Sequence, residues 1–383
     1  METSKKKILV FIDWFLPGYK AGGPVRSMAN MVDHLSDRFD FYIVTRNTEY
    51  LEIEPYRGIQ SNVWVDFQPG VKVYYASAVK EGLRLWKQLI QAGNFDTIYI
   101  NGIYSFKYSV LSLWAAKQFN NLKVIVSPRG MLAPSAIGVK SRKKNLFLAL
   151  VRWVRLYRGI DWHATNEKEA SEIKMLCGNA TKVSIAANLP RKTNLNQTPV
   201  QKQKGHLMVC SFARISLEKN TLFALQTLSL VQTTGEIHFH LYGQIYNDEY
   251  WQECLSVIEQ LPVNIHVEYK GVVDADRVGE QMANYHVMYL PSRGENFGHV
   301  ILESLMGGRP VLISDQTPWL GLSDKKAGWD LPLSEMPLFA SKLDELNLMD
   351  QQQYDQWSMG AQQLADQFVN DPTRMQQYLQ LFQ

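Results

Sequence analysis

The sequence predicts an α/β protein of two doubly wound domains facing each other across a cleft. Three observations carry this. Short apolar runs alternate with amphipathic stretches, the texture of parallel sheets covered by helices on both faces. The alternation breaks once, between residues 187 and 205, where the chain turns polar and basic with no apolar period. And 383 residues exceed one ordinary domain and suit two. Apolar residues make up 46% of the chain and charged residues 20%, enough apolar mass for two cores.

In the first half, strands are predicted at 7–12, 41–45, 71–75, 97–100, 123–127 and 182–186, with amphipathic helices between them, among them 24–35 and 106–119. In the second half, strands are predicted at 206–212, 236–242, 265–269, 287–290 and 310–313. The tail from Glu335 reads as helical, and Asp371-Pro372 forms an N-cap and N1 pair that restarts a helix. The predicted organisation is therefore a first domain at 1–190, a linker at 191–205, a second domain at 206–365, and a helix at 366–383 packing back toward the first domain. Open α/β sheets bind ligands outside the carboxyl ends of their strands, so the site is expected in the cleft.

A net charge of +3 argues against nucleic acid as the main partner. Cys177, Cys210 and Cys254 are far apart and lie in or beside apolar segments, which reads as buried thiols in a reducing compartment. Lys5, Lys6 and Lys7 before an apolar run mimic a signal peptide. Asp13 interrupts the run and no cleavage pattern follows, so it reads as a first buried strand. No run approaches the roughly 18 apolar residues of a membrane span, so a cytoplasmic location is expected.

The chemistry concentrates between Pro291 and Trp319. The loop Pro291-Ser292-Arg293-Gly294-Glu295-Asn296-Phe297-Gly298 leads into a helix from His299 to Met306, closed by Gly307-Gly308. Glu295 and Glu303 are separated by eight positions, about 12 Å if measured along a helix. The helix N-terminus between them offers backbone N–H groups and partial positive charge, a phosphate site. Gly298 removes a side chain where a phosphate comes close. One carboxylate would serve each end of a nucleotide sugar. Two bare Glu at this spacing also suit ordinary surface charges, and it is the Gly- and Phe-containing strand–loop–helix context that favours a site.

A second segment, Ser211-Phe212-Ala213-Arg214-Ile215-Ser216-Leu217-Glu218-Lys219-Asn220, follows the first strand of the second domain. Arg214 and Lys219 bracket a strand-end loop and can neutralise charge on a departing diphosphate. In the first domain, Gly22-Gly23-Pro24 follows the first strand and starts a helix; Gly22 and Gly23 let backbone approach a ligand, although such a tripeptide is more often only a turn.

On these residues the chain resembles the family 4 retaining glycosyltransferases, which have the GT-B fold of two Rossmann-like domains. The family's Glu-x7-Glu pattern is met by Glu295 and Glu303, its Arg/Lys pair by Arg214 and Lys219, and its N-terminal glycine loop by Gly22 and Gly23. Ser127-Pro128-Arg129-Gly130-Met131, the stretch from His163 to Ala170, and Thr317-Pro318-Trp319 resemble segments of polysaccharide-building members. The resemblance implies that Arg214, Lys219 and Glu295 are catalytic, the cations on the donor pyrophosphate and Glu295 on the sugar hydroxyls. It implies that Glu303 meets the ribose, that Asn296, Phe297 and Gly298 line sugar and phosphate, that Gly271 to Val273 lie near the base, and that Gly243 also belongs to the donor site. Asn188 matches an Asn at the family's domain junction. One departure stands out: many members carry a His where this chain has Asn101-Gly102, and His163 reads as a structural strand-end residue rather than a replacement.

The resemblance further implies transfer with retention from a UDP- or GDP-sugar to a glycan or lipid-linked acceptor in surface polysaccharide (lipopolysaccharide or capsule) synthesis. A donor phosphate oxygen would take the acceptor's proton, leaving the protein positioning and charge stabilisation. No essential metal and no cofactor are expected: no Cys/His cluster has zinc spacing, and Asp274 of Asp274-Ala275-Asp276 reads as an N-cap. A glycosidase dyad is excluded if about 12 Å separates the two Glu. The stretch 140–158 interleaves cations with apolar residues and suits either peripheral contact with an anionic membrane or a helix with a solvated cationic face. A nucleotide-sugar 2-epimerase of the same architecture and a non-catalytic nucleotide-sugar-binding module are the alternatives.

Overall fold

The computed structural model describes residues 5–119, 121–133, 146–151, 154–192, 199–274 and 277–383. The chain forms two compact units. One comprises the chain through Lys192 together with Pro372–Gln383, the other the chain from 193 to Asp371.

The first unit is built on an eight-stranded sheet. Its strands are β1 (Lys6–Phe11), β2 (Phe39–Arg46), β3 (Trp64–Gln68), β4 (Val71–Ala76), β5 (Thr97–Asn101), β6 (Lys123–Ser127), β7 (Asp161–Ala164) and β8 (Val183–Ile185). Their spatial order is β3-β4-β2-β1-β5-β6-β7-β8, parallel except for the β3–β4 pair. Ile8, Leu9, Val10 and Phe11 are all fully buried, as in a parallel strand covered on both faces. Strand β3 was not legible beforehand, because Asp66 and Gln68 break its apolar pattern on an antiparallel edge.

Helix α1 (Gly23–Leu35) and α2 (Leu83–Gly93) flank the sheet. The helix expected at 106–119 is instead a wide π-type turn over Phe106–Leu111 followed by a short α3 (Ser112–Ala116). Ser105 caps it, its hydroxyl accepting from the Tyr108 N–H at 3.2 Å. In α4 (Glu167–Cys177), Asn166 is the N-cap, accepting from the Glu169 N–H at 2.9 Å.

The second unit holds six parallel strands: β9 (His206–Phe212), β10 (Glu236–Tyr242), β11 (Ile265–Gly271), β12 (Val287–Leu290), β13 (Val311–Ser314) and β14 (Gly328–Leu331). Their order is β11-β10-β9-β12-β13-β14. Its helices are α5 (Thr221–Leu228), α6 (Asp248–Ile258), α7 (Val278–Met282), α8 (His299–Met306), α9 (Met336–Leu348) and α10 (Gln351–Val369). The Asp350 and Gln353 side chains form a capping box at the start of α10. The buried Lys202 ammonium donates to the carbonyls of Gln203, Asn347 and Met349 at 2.7, 3.0 and 3.1 Å, which docks this part of the predicted linker onto the end of α9. Burial lowers its pKa to about 8. Residues 193–198 of that stretch lie outside the described residues.

The last helix, α11 (Pro372–Phe382), starts at the proline and belongs to the first unit. Its Tyr378, Leu381 and Phe382 pack into the core under Ile8, Val10, Phe41 and Tyr99. Cys210 and Cys254 are buried and all three cysteines are free.

Asp274 is not the cap of the following helix. Arg277 occupies the N-cap position of α7, and the Asp274 carbonyl accepts its N–H at 2.9 Å, so the acidic residue lies one turn too early. Ala275 and Asp276 lie outside the described residues, as does much of 140–158. No helix among the described residues is long and apolar enough to cross a membrane.

Candidate functional site

In the second unit the strand order reverses between β9 and β12. The loops leaving those two neighbouring strands carry Lys219 and Glu295. This is the topological switch point, where an open α/β sheet leaves a crevice at its carboxyl edge.

The loop after β9 is pinned to the loop after β10. The Ala213 N–H donates to the Tyr242 carbonyl at 2.9 Å, Ile215 N–H to Gln244 at 2.9 Å, and Tyr246 N–H to Ile215 at 3.1 Å. Gly243 has φ +138, and a Cβ there would lie 2.0 Å from the Ala213 carbonyl oxygen. Glycine is thus required for the two loops to touch, and its visible task is to seat the loop bearing Arg214. The Arg214 guanidinium lies over the Tyr246 ring, 5.2 Å from its centroid, and 3.6 Å from Glu218 Oε2. The chain then turns at Asn220, held at φ +59, whose N–H donates to the Ser216 carbonyl at 3.0 Å and which caps α5.

The loop after β12 is fastened to the first. Arg293 N–H and the Ser292 hydroxyl both donate to the Glu218 carbonyl, at 2.8 and 3.2 Å, and Arg293 Nε donates to Asn220 Oδ1 at 3.2 Å. Glu295 N–H donates to the Gln316 carbonyl at 3.0 Å. These bonds bring the Lys219 ammonium against Glu295, Nζ to Oε1 2.5 Å, with the two side chains 20% and 11% exposed. Two residues 76 positions apart thus form one ion pair at a strand-end crevice. Arg214, whose side chain is 37% exposed, stands on the same loop as Lys219.

Gly298 is the N-cap of α8 at φ +77, and its carbonyl accepts from Ile301 N–H at 2.9 Å. A Cβ there would meet Ile301 Cδ1 at 2.6 Å. The left-handed backbone favours glycine here, and a larger residue would also have to displace the Ile301 side chain. The Ile301 and Leu302 N–H groups both turn back to the Gly298 carbonyl, at 2.9 and 3.3 Å, which tightens the start of the helix. Phe297 turns its ring inward against Trp319 and Phe368, centroids 5.8 and 5.5 Å away, and Trp319 Nε1 donates to the Phe297 carbonyl at 2.6 Å. Phe297 thus anchors the loop through its ring and carbonyl. Asn296 is half-buried.

Glu303 is half-buried on the second turn of α8, whereas Glu295 lies in the loop before it. The 12 Å spacing, reckoned along a continuous helix, does not apply to this pair. Val273, half-buried, packs with the apolar cluster of Phe212, Tyr242 and Leu302.

In the first unit the switch point lies between β1 and β5. Gly22 is the N-cap of α1 at φ +80, and added Cβ atoms at Gly22 or Gly23 would meet nothing within 4 Å, so this turn is open. Strand β5 ends on Asn101, only 3% exposed, its Oδ1 accepting from Arg129 Nε at 2.8 Å. Arg129 also donates to Asn188 at 2.6 Å and to the Tyr99 hydroxyl at 2.8 Å. Asn188 is thereby tied inside the first unit. His163 bonds the Tyr99 hydroxyl at 2.7 Å and the Ala186 carbonyl at 2.8 Å, and burial lowers its pKa to about 3. A neutral, doubly bonded, buried ring is a structural residue.

A cluster near the ends of β1 and β2 went unnoticed in the sequence. Asp13 accepts from the Ser105 hydroxyl at 2.7 Å and lies 3.2 Å from Arg46, which is 3.4 Å from the buried Glu81. Glu81 also takes Lys107 and the Tyr108 hydroxyl, both at 2.8 Å. Burial raises the pKa of Asp13. Position directly after a predicted strand is the signal that marks Asp13 and Arg46.

Residues 193–329 match the family model for glycosyl transferases group 1. No curated protein matches the chain. Among solved structures it is similar to HepE of Anabaena in complex with UDP and glucose, at 18% identity over 98% of this chain and 99% of that one, TM-score 0.72. It is similar to a sucrose-phosphate synthase of Thermosynechococcus elongatus, at 14% over 99% and 98%, TM-score 0.74. It is also similar to TarM of S. aureus in complex with fondaparinux, α-GlcNAc-glycerol and UDP, at 13% over 98% and 99%, TM-score 0.66. The fold is GT-B, two Rossmann-like units.

Proposed function

We propose that this chain, a family 4-type glycosyltransferase, is a retaining hexosyltransferase that moves a sugar from a UDP-sugar to a glycan or lipid-linked acceptor in surface polysaccharide assembly. The observation that carries the reading is the Lys219–Glu295 pair at the β9/β12 switch point, beside the N-terminus of α8. UDP is favoured over GDP as the nucleotide because UDP is the ligand named for HepE and TarM.

The donor diphosphate draws Lys219 and Arg214 away from Glu295 and Glu218, and the α8 N–H groups share the charge. Glu295 then accepts from hydroxyls of the transferred sugar, and Glu303 from the ribose. The acceptor oxygen bonds to the anomeric carbon as the bond to the diphosphate breaks, and the acceptor proton passes to a leaving phosphate oxygen. No protein base and no metal take part. Turnover measured in EDTA should equal turnover without it.

Incubation with radiolabelled UDP-sugars tests the reading. Transferred or hydrolysed sugar supports it. Epimerised donor would favour the 2-epimerase, and binding without turnover a non-catalytic module.

Leu146, Leu150 and Val154, four residues apart in turn, are exposed next to the exposed Arg155 and Arg158. This apolar stripe with flanking cations supports peripheral contact with the inner face of the membrane. Co-sedimentation with anionic vesicles, lost in Leu150→Glu, is the expected result; equal sedimentation of both proteins rules it out.

A further inference from the structure

We propose that the amino-terminal edge of the second unit's sheet carries a binding site for a divalent transition-metal ion, formed by His206, Glu236 and His238. Nothing in the proposed transfer reaction uses these residues, and the inference does not rest on that reading.

The site is a product of strand register. In the parallel sheet Glu236 lies opposite His206, and His238 lies opposite His266. Leu207, Ile237, Phe239 and Ile265 point into the core, so the alternation of a strand puts the polar residues together on the other face. Glu236 Oε2 lies 3.7 Å from His206 Nδ1 and 3.4 Å from His238 Nε2. All three donor atoms fall within 4.8 Å of one another.

Ligands about 2.0–2.1 Å from a tetrahedral zinc stand about 3.3–3.4 Å apart. Two edges of the donor triangle are therefore close to the required length, and a small side-chain rotation closes the third. Two imidazoles and a carboxylate suit Zn2+, Cu2+ or Ni2+ and do not suit Mg2+ or Ca2+, which want an all-oxygen shell.

Neighbouring histidines define the set by being occupied or by bracing it. His286 uses both nitrogens, with the Met208 N–H at 2.8 Å and the Gln201 carbonyl at 2.9 Å. It stands perpendicular to the His206 ring as a wall, centroids 6.3 Å apart. His240 Nδ1 is engaged by the Tyr285 hydroxyl at 2.8 Å. His266 stacks on His238 with centroids 4.7 Å apart and restrains its ring. The three ligands are 40%, 61% and 28% exposed at their side chains, so an ion has an open entry and water completes the shell. This predicts exchangeable binding in the micromolar range rather than a structural zinc. The seven-residue strand β9 separates the site from the Lys219–Glu295 crevice by roughly 20 Å, too far for a part in catalysis.

The test is calorimetric titration of Zn2+ into untagged, chelator-stripped, full-length protein. One equivalent should bind, and the thermal midpoint should rise with added Zn2+. His206→Ala and His238→Ala should each weaken binding by more than about a hundredfold, beyond what loss of an outer partner of a ligand costs. The isosteric Glu236→Gln should weaken it while leaving the circular dichroism spectrum unchanged. Unaltered binding in a His206→Gln/His238→Gln double variant, or no saturable binding short of millimolar Zn2+, would overturn the proposal.

Discussion

The two units both place charged residues at the carboxyl edge of a parallel sheet, and they treat those charges in opposite ways. In the first unit Arg129 is 6% exposed and its guanidinium is spent on Asn101, Asn188 and Tyr99. A buried cation whose hydrogen bonds go to neutral groups, with the Glu169 carboxylate close enough to favour its charge, is a brace. In the second unit Lys219 and Arg214 face single carboxylates, Glu295 and Glu218, from partly open loops. A cation held by one exchangeable anion can trade it for a diphosphate at little cost in desolvation, since the anion it leaves finds sugar hydroxyls instead. Under the proposed function, the contrast separates charge that holds a fold from charge that takes up a ligand.

The largest expected effect tests that contrast at the open end. Lys219→Ala should lower donor turnover about 10²–10³-fold while leaving the thermal midpoint nearly unchanged. Near-normal rates would remove Lys219 from the diphosphate site. At the closed end, Arg129→Ala strands three buried acceptors and should cost about 3 kcal/mol or more in urea denaturation. If Arg214→Ala destabilises as much, the contrast fails.

A pH experiment sharpens it further. Burial depresses His163 to about 3 and His286 to about 4, against an ordinary value of about 6.5. Below pH 6.5 the unfolded chain takes up protons that the folded rings refuse. Their contribution is therefore intact above that pH and is lost as pH falls toward 4 and then 3. The urea midpoint should drop between pH 7 and pH 5, with a smaller drop in His163→Gln. The smallest effect belongs to Gly22→Ala, where a Cβ has room but φ is +80: about 1 kcal/mol of backbone strain, read as a small drop in thermal midpoint.

Much of the scaffold was readable in advance because buried parallel strands are continuous apolar runs. Strand β9, with Leu207 and Val209 fully buried, is such a run. Strand β3 escaped because an antiparallel edge strand needs no such run, and β14 because four residues with one Asp make no pattern. Of the site residues, Glu295 and Lys219 were legible from motif and strand-end position. Their contact depends on the Arg293–Glu218 and Glu295–Gln316 backbone bonds, which no local pattern announces. Gly298 was singled out for a phosphate; its positive φ, a further reason for glycine, could not be read from the sequence.

The sequence by itself determined the two α/β units, their strand-end loops and which charged residues stand on those loops, because these follow from short-range periodicity and spacing. Tertiary structure alone decided which strands are neighbours. That choice pairs Lys219 with Glu295, closes Asn101, Arg129 and Asn188 into one buried network, and lines up His206, Glu236 and His238 across two strands. Strand order and register arise from packing between residues far apart in the chain, so a reading that moves along the chain does not reach them.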